Sequence, residues 1–139
     1  MNRDELLKRE ERAWLTFVDA ITAVPPERRE IEGVVPGWST HDVAWHCAYW
    51  AGYTADVLDR IRSGEPNPSD TAAPDDEVLA TGRAMSWDDI VVQAEQNHER
   101  SRIALSALPE LTKVAVEWFT DDTIGHYEEH ATQIREFTP

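Results

Sequence analysis

The stretch Trp38-Ser39-Thr40-His41-Asp42-Val43-Ala44-Trp45-His46-Cys47-Ala48-Tyr49-Trp50 decides the fold. Ser39 followed three residues later by Asp42 is a capping box with Asp in place of the usual Glu, so it predicts a helix starting near Thr40. The helix should run to about Arg62, where Ser63-Gly64-Glu65-Pro66 ends it. Apolar residues Val43, Ala44, Cys47, Ala48, Ala51, Ala55, Val57, Leu58 and Ile61 fall on nearly all its sides. A helix apolar all round belongs in a core. His46 should therefore lie inside.

Outward from this segment every long periodic stretch keeps the helical period, and none alternates apolar and polar residues long enough for a strand. The expected class is all-α. Leu6, Leu7, Trp14, Phe17, Val18 and Ile21 recur at three and four spacings, giving a first helix from about Arg3 to Ala23, stopped by Val24-Pro25-Pro26. Residues 64–74, rich in Pro, Ser, Asn and Asp, read as a mobile loop, with a short helical turn from Asp75 to Ala80. Ser86 with Asp89 opens a third helix from Trp87 to about Ala107, and Pro109 closes it. A linker containing Val114, Val116, Trp118 and Phe119 then leads to Thr120 or Asp121, either able to cap a fourth helix reaching Phe137. Four helices with long connections after the first and the second make a four-helix bundle, a fold that builds metal sites from inward side chains on facing helices.

In the fourth helix His126 and His130 are four apart, so their side chains sit about 40° apart around the axis and one turn apart along it. A third imidazole from a facing helix, His46, completes three nitrogen ligands for one divalent transition metal and leaves positions open for water or substrate. His ligands accept Zn, Ni or Fe among others, so the spacing does not choose the ion. No second cluster is expected.

Composition bounds the rest. At 139 residues the chain is read as one domain, 1–139, able to bury about two-thirds of its unfolded surface. Acidic residues outnumber basic ones 27 to 13, and a net charge of -14 repels phosphate backbones and anionic membranes. Neither nucleic acid nor membrane is an expected partner. Without a basic-then-apolar leader or an apolar run of about 20 residues, a cytoplasmic location is expected. The lone Cys47 cannot form an internal disulfide, which agrees with a reducing compartment.

Two motifs carry a family resemblance. Gly37-Trp38-Ser39 leading into Asp42-Val43-Ala44-Trp45-His46 resembles the "G-W-S, then D-x-x-x-H" entry to the second helix of the DinB-like (DinB/YfiT-like) metalloproteins. Gly125-His126-Tyr127-Glu128-Glu129-His130-Ala131-Thr132-Gln133-Ile134 is similar to the same family's H-x-x-x-H ending in Q-I. The motifs stand in the family's order, and the helical reading covers the whole chain. The resemblance implies a right-handed up-down-down-up bundle binding a divalent ion, octahedral or tetrahedral, through His46, His126 and His130. Relatives of that kind include mycothiol-dependent isomerases, bacillithiol S-transferases and self-resistance proteins of the ClbS type. The mycothiol branch generally replaces one C-terminal histidine with Glu, and this chain keeps both.

Three neutral imidazoles leave the ion's full charge on the site, so a bound water or thiol is strongly acidified. A metal-dependent small-molecule or thiol transferase or isomerase is the leading expectation. A hydrolase or self-resistance protein and a bundle merely stapled by its ion are the alternatives. Asp42, one turn before His46, is placed either to orient that ring or, as the stronger reading, to cap its helix. His98 reads as a rim residue among Glu95, Glu99, Arg100 and Arg102, with a place in the site open to it, and His41 as a solvent-facing first-turn residue. Cys47 reads as a small core thiol; Trp45, Tyr49, Trp50 and Tyr53 as pocket mouth, core or dimer interface; Glu128 and Glu129 as a solvated flank. Six tryptophans exceed what one small core needs, which suggests a homodimer. Because the ligands bind only as neutral imidazoles and the metal depresses their apparent pKa, metal-derived stability is expected above about pH 6.5 and lost as pH falls through the depressed value, with the metal-free form lacking the dependence.

Overall fold

The computed structural model describes residues 2–137 and is all-helical, with no strand among them. Helix α1 (Arg3–Thr22) is followed by a 3-10 turn (Pro26–Arg28), then α2 (Thr40–Arg62), α3 (Asp75–Arg83) and α4 (Trp87–Ala107). A final run comprises α5 (Lys113–Phe119), a π-helical segment (Thr120–Gly125) and α6 (His126–Glu136).

Local chemistry sets the helix ends. Ser39 Oγ accepts from the Asp42 amide at 3.2 Å while Asp42 Oδ2 accepts from the Ser39 amide at 2.9 Å, so the capping box starts α2 where the sequence placed it. Ser86 caps α4 through the Asp89 amide. The short turn expected at Asp75 extends to Arg83, helped by Asp75, Asp76 and Glu77 in its first turn and by Val78 and Gly82, which bury themselves.

The end of the chain departs from expectation. Residues 114–119, read as a linker, are helical: Thr112 caps α5, and Ala115 and Phe119, four apart, are both fully buried. Neither Thr120 nor Asp121 caps a helix start, because the helix is already running. It widens instead into a π turn, where Phe119 and Ile124, five apart, both point into the core at no more than 1% exposure. Five is the hydrogen-bond span of a π-helix, so one extra residue lets both keep their places inside.

The core joins Leu6, Phe17 and Ile21 of α1 to Val43, Cys47 and Leu58 of α2, Ile90 and Leu105 of α4, and Phe119, Ile124, Tyr127 and Ile134 of the last run. Helix α2 packs most extensively on α4, and α1 on α6. Gly52 permits the first contact: a Cβ there would stand 2.7 Å from Asn97 Nδ2, which donates to the Ala48 carbonyl at 2.9 Å. No helix among the described residues is long and apolar enough to cross a membrane.

Candidate metal centre

Helix α2 carries His46 and α6 carries His126 and His130, and the fold brings the three rings together. Their centroids lie 4.9 Å (His46–His126), 5.2 Å (His46–His130) and 5.7 Å (His126–His130) apart. The π turn ends immediately before His126, so it sets the angle at which that pair meets α2. His130 is buried, and its Nδ1 lies 2.6 Å from Gln133 Oε1. With that oxygen accepting, Nδ1 carries the proton and Nε2 keeps its lone pair free. His126 Nδ1 is buried without a well-formed hydrogen bond.

Burial and the neighbouring rings keep His46 and His126 neutral. Burial, then His126 and His130, push the His46 pKa down to about 3. Burial, then His130, push His126 down to about 4, with the backbone of Asp122 pulling the other way. A charged ring here would lose hydration and face other rings competing for protons.

The rings meet partly through their edges. Among the described residues only Glu10, Glu11 and His98 have ligand atoms all within 4.8 Å of one another. The imidazole nitrogens of the trio therefore stand wider than in a closed coordination sphere, and gathering them requires rotation about the side-chain torsions.

Trp38 lies 5.0 Å from His46, and Trp50 lies 6.3 Å from His46 and 6.1 Å from His126. Tyr53 continues this wall to Trp118 at 5.8 Å. The loop read as mobile is tied across it: the Thr71 amide donates to Tyr53 Oη at 2.7 Å and the Ala73 amide to Tyr49 Oη at 2.9 Å. Asp122, which sequence reasoning missed, sits nearby with its pKa raised to about 6 by burial, then by Asp121 and Asp70. It lies half-buried within the π turn.

Several single-residue readings change. Asp42 does not orient His46: its carboxylate is occupied by the Ser39 amide and by Arg83, whose Nε donates at 3.1 Å. Burial would raise its pKa, but the Arg83 and Ser39 hydrogen bonds outweigh it and hold the pKa below the usual value. His41 is buried rather than solvent-facing, with Nε2 2.8 Å from the Gly82 carbonyl, because α3 lies over the start of α2. Trp45 likewise turns to α3, donating to the Val78 carbonyl at 2.9 Å. His98 is no rim residue: it is 5% exposed and stacks on Trp14, and its polar contacts are with Glu10 and Glu11. Cys47 is the core thiol expected, fully buried, its Sγ 3.9 Å from the His126 carbonyl; burial, then Glu129, keep it protonated. Glu128 and Glu129 are exposed, Glu128 facing Arg9 at 3.7 Å.

No family model, no curated protein and no solved structure matches this chain.

Proposed function

We propose that the chain is a divalent-metal-binding protein of DinB-like kind, an up-down-down-up bundle whose His46, His126 and His130 hold one Zn, Ni or Fe ion. The carrying observation is the separation of the rings. A ligating nitrogen stands about 2.0–2.1 Å from such an ion and the ring centroid about 1.1 Å further, so centroids at bond angles of 90–120° stand about 4.5–5.5 Å apart. The observed 4.9 and 5.2 Å fall within that range and 5.7 Å lies just above it, near enough for side-chain rotation to close it. Donor chemistry agrees: neutral imidazoles are the binding form, and Gln133 leaves Nε2 of His130 available.

When bound, the ion would acidify a water or a low-molecular-weight thiol on its open positions. The reaction we favour is transfer or isomerisation of a small molecule through that nucleophile. Trp38 and Trp50 supply an apolar wall against the rings, and Asp122, poised near pH 6, can hold or pass a proton at the rim. The same wall suits an apolar electrophile attacked by hydroxide, so hydrolysis of the self-resistance type is the second reading.

Metal content by plasma mass spectrometry tests the centre. Wild type should lose one equivalent of ion in His126→Ala and in His130→Ala; content unchanged in both variants rejects the site. A screen of low-molecular-weight thiols against small alkyl electrophiles, with ester hydrolysis as control, separates the two reactions.

A further inference from the structure

The seam between α1 and α4 holds a second polar group, built from side chains the trio does not use. Glu10 stands on the apolar stripe of α1, one turn after Leu6 and one before Trp14, and is fully buried. Opposite it His98 lies flat on Trp14, with ring centroids 4.2 Å apart and planes 8° from parallel. His98 Nδ1 is 2.7 Å from Glu10 Oε1, yet neither atom has a hydrogen-bond partner. The contact is short enough for a hydrogen bond and wrongly aligned for one. A proton on Nδ1 lies in the ring plane, and Glu10 Oε1 stands off that direction.

Two buried polar atoms left unpaired in this way are costly. An ion in the ring plane, about 2.0–2.2 Å from each, would satisfy both after a few tenths of an ångström of opening. The other oxygen of Glu10 is fixed by Arg102, whose Nη1 donates to Oε2 at 3.0 Å and to the Leu7 carbonyl at 2.9 Å. That contact leaves Oε1 turned to His98. Glu11 approaches from the solvent side, its Oε2 3.5 Å from His98 Nε2 and its side chain 43% exposed. One ligand atom each from Glu10, Glu11 and His98 fall within 4.8 Å of one another. Tyr127, 5.4 Å from Trp14, adds a hydroxyl that is also buried and unpaired.

We propose that Glu10, Glu11 and His98 form a second divalent-cation site, able to take an ion such as zinc and tying α1 to α4. One imidazole and two carboxylates are a common zinc donor set, and the exposed side of Glu11 gives the ion its entry and leaves a fourth position to water. Arg102 holds the far oxygen of Glu10 at 3.0 Å and lies 3.5 Å from Glu11 Oε2, so an ion taken by that Glu11 oxygen would replace the longer of its two carboxylate contacts. The site shares no ligand with the trio and does not rest on that reading.

Zinc chloride binding, by calorimetry and by metal content after dialysis, is measured on wild type, His126→Ala, Glu11→Gln and the double variant, with helicity checked by circular dichroism. Glu11 is half exposed, so Glu11→Gln should fold. His126→Ala should retain one equivalent; adding Glu11→Gln should weaken that retained ion at least about tenfold, the lower bound for losing even an outer partner of a ligand. In His126→Ala, zinc should also move the imidazole nitrogen resonances of His98, assigned with His98→Gln. No zinc retained by His126→Ala, or zinc retained undiminished by the double variant with His98 resonances unmoved, overturns the proposal and leaves a His98–carboxylate ion pair. Zinc lost by Glu11→Gln but not by His126→Ala would instead reject the trio and sustain this site.

Discussion

Acidifying the metal-free protein tests the electrostatics of the histidine cluster directly. In the unfolded chain His46 and His126 titrate near 6.5, whereas in the fold they resist protonation down to about 3 and about 4. Between those values the unfolded state binds more protons, so each histidine contributes stability that is complete above about pH 6.5 and declines as pH falls toward its folded pKa. The decline is roughly 1.4 kcal/mol per pH unit for each ring. Asp122 opposes it. Its folded pKa of about 6 lies above the carboxylate value of 3.8, so the folded state takes up its proton first and gains stability as pH falls across that interval, also by roughly 1.4 kcal/mol per unit. Two declining contributions against one rising leave a net loss of roughly 1.4 kcal/mol per unit between about pH 6 and pH 4. Asp42, held below 3.8, enters only at lower pH. Urea unfolding followed by tryptophan fluorescence at pH 7.5, 6, 5 and 4.5 reads the slope. Asp122→Asn should roughly double it and stabilise the protein at pH 7.5, where the buried carboxylate is charged. Proton NMR titration should show two histidines still neutral at pH 5. A flat stability profile between pH 6 and 4.5, or every histidine titrating near 6.5, would refute the reasoning. The sequence reading assigned such pH dependence to the metal-loaded form alone; burial extends it to the metal-free one.

Other outcomes follow from the same geometry. Free ion at 100 times its dissociation constant should add roughly 2.7 kcal/mol of stability, so chelation at pH 7.5 should lower the melting temperature by roughly 10 °C; identical melting with metal loss confirmed would remove the ion from the stability of the fold. Because two of the trio's rings stay neutral below the ordinary histidine range, metal release should have its midpoint below pH 5 rather than near 6.5, and a midpoint at 6.5 by dialysis and metal assay would contradict those shifts. Gly82→Ala puts a Cβ 2.3 Å from Trp45 Cδ1, so it should displace that ring from the Val78 carbonyl and cost about 1–3 kcal/mol by urea denaturation; an unchanged midpoint would deny the packing of α3 on α2. If the chain forms the homodimer its tryptophans suggest, through the groove of about 580 Å³ lined by Trp14, Leu15, Trp87 and Val92, Leu15→Glu should convert a dimer mass in light scattering to a monomer; a monomer mass for wild type at micromolar concentration rules the dimer out.

What the sequence made legible was periodicity and capping. The Ser39–Asp42 box fixed the start of α2, and the spacing of His126 and His130 put two rings on one side of α6, because both signals depend on residues within one turn. What escaped depended on partners far along the chain. His41 and Trp45 are covered by α3, 41 and 33 residues on, and His98 is drawn inward by Glu10 from near the start of the chain. Glu10 did carry a signal: it falls in step with Leu6, Trp14 and Phe17, on the stripe where a charge needs a partner. The π turn left no mark beyond a five-residue gap between Phe119 and Ile124, which a search at helical spacing passes over.

That gap has a consequence for how the chain tolerates insertion and deletion. The segment 120–125 carries one residue more than an α-helix joining the same two ends would need, and the surplus is what keeps Phe119 and the residues after Ile124 facing the same interior. Removing one residue there would let the run heal into an unbroken α-helix joining the same two ends, with Tyr127, His126 and His130 keeping their faces. Winding the same residues as a plain α-helix, with none removed, would instead swing everything beyond them about 100° around the axis. Tyr127 would leave the core, and His126 and His130 would turn away from His46. A chain that folded in helical content could thus lose its histidine cluster without the loss of a single histidine.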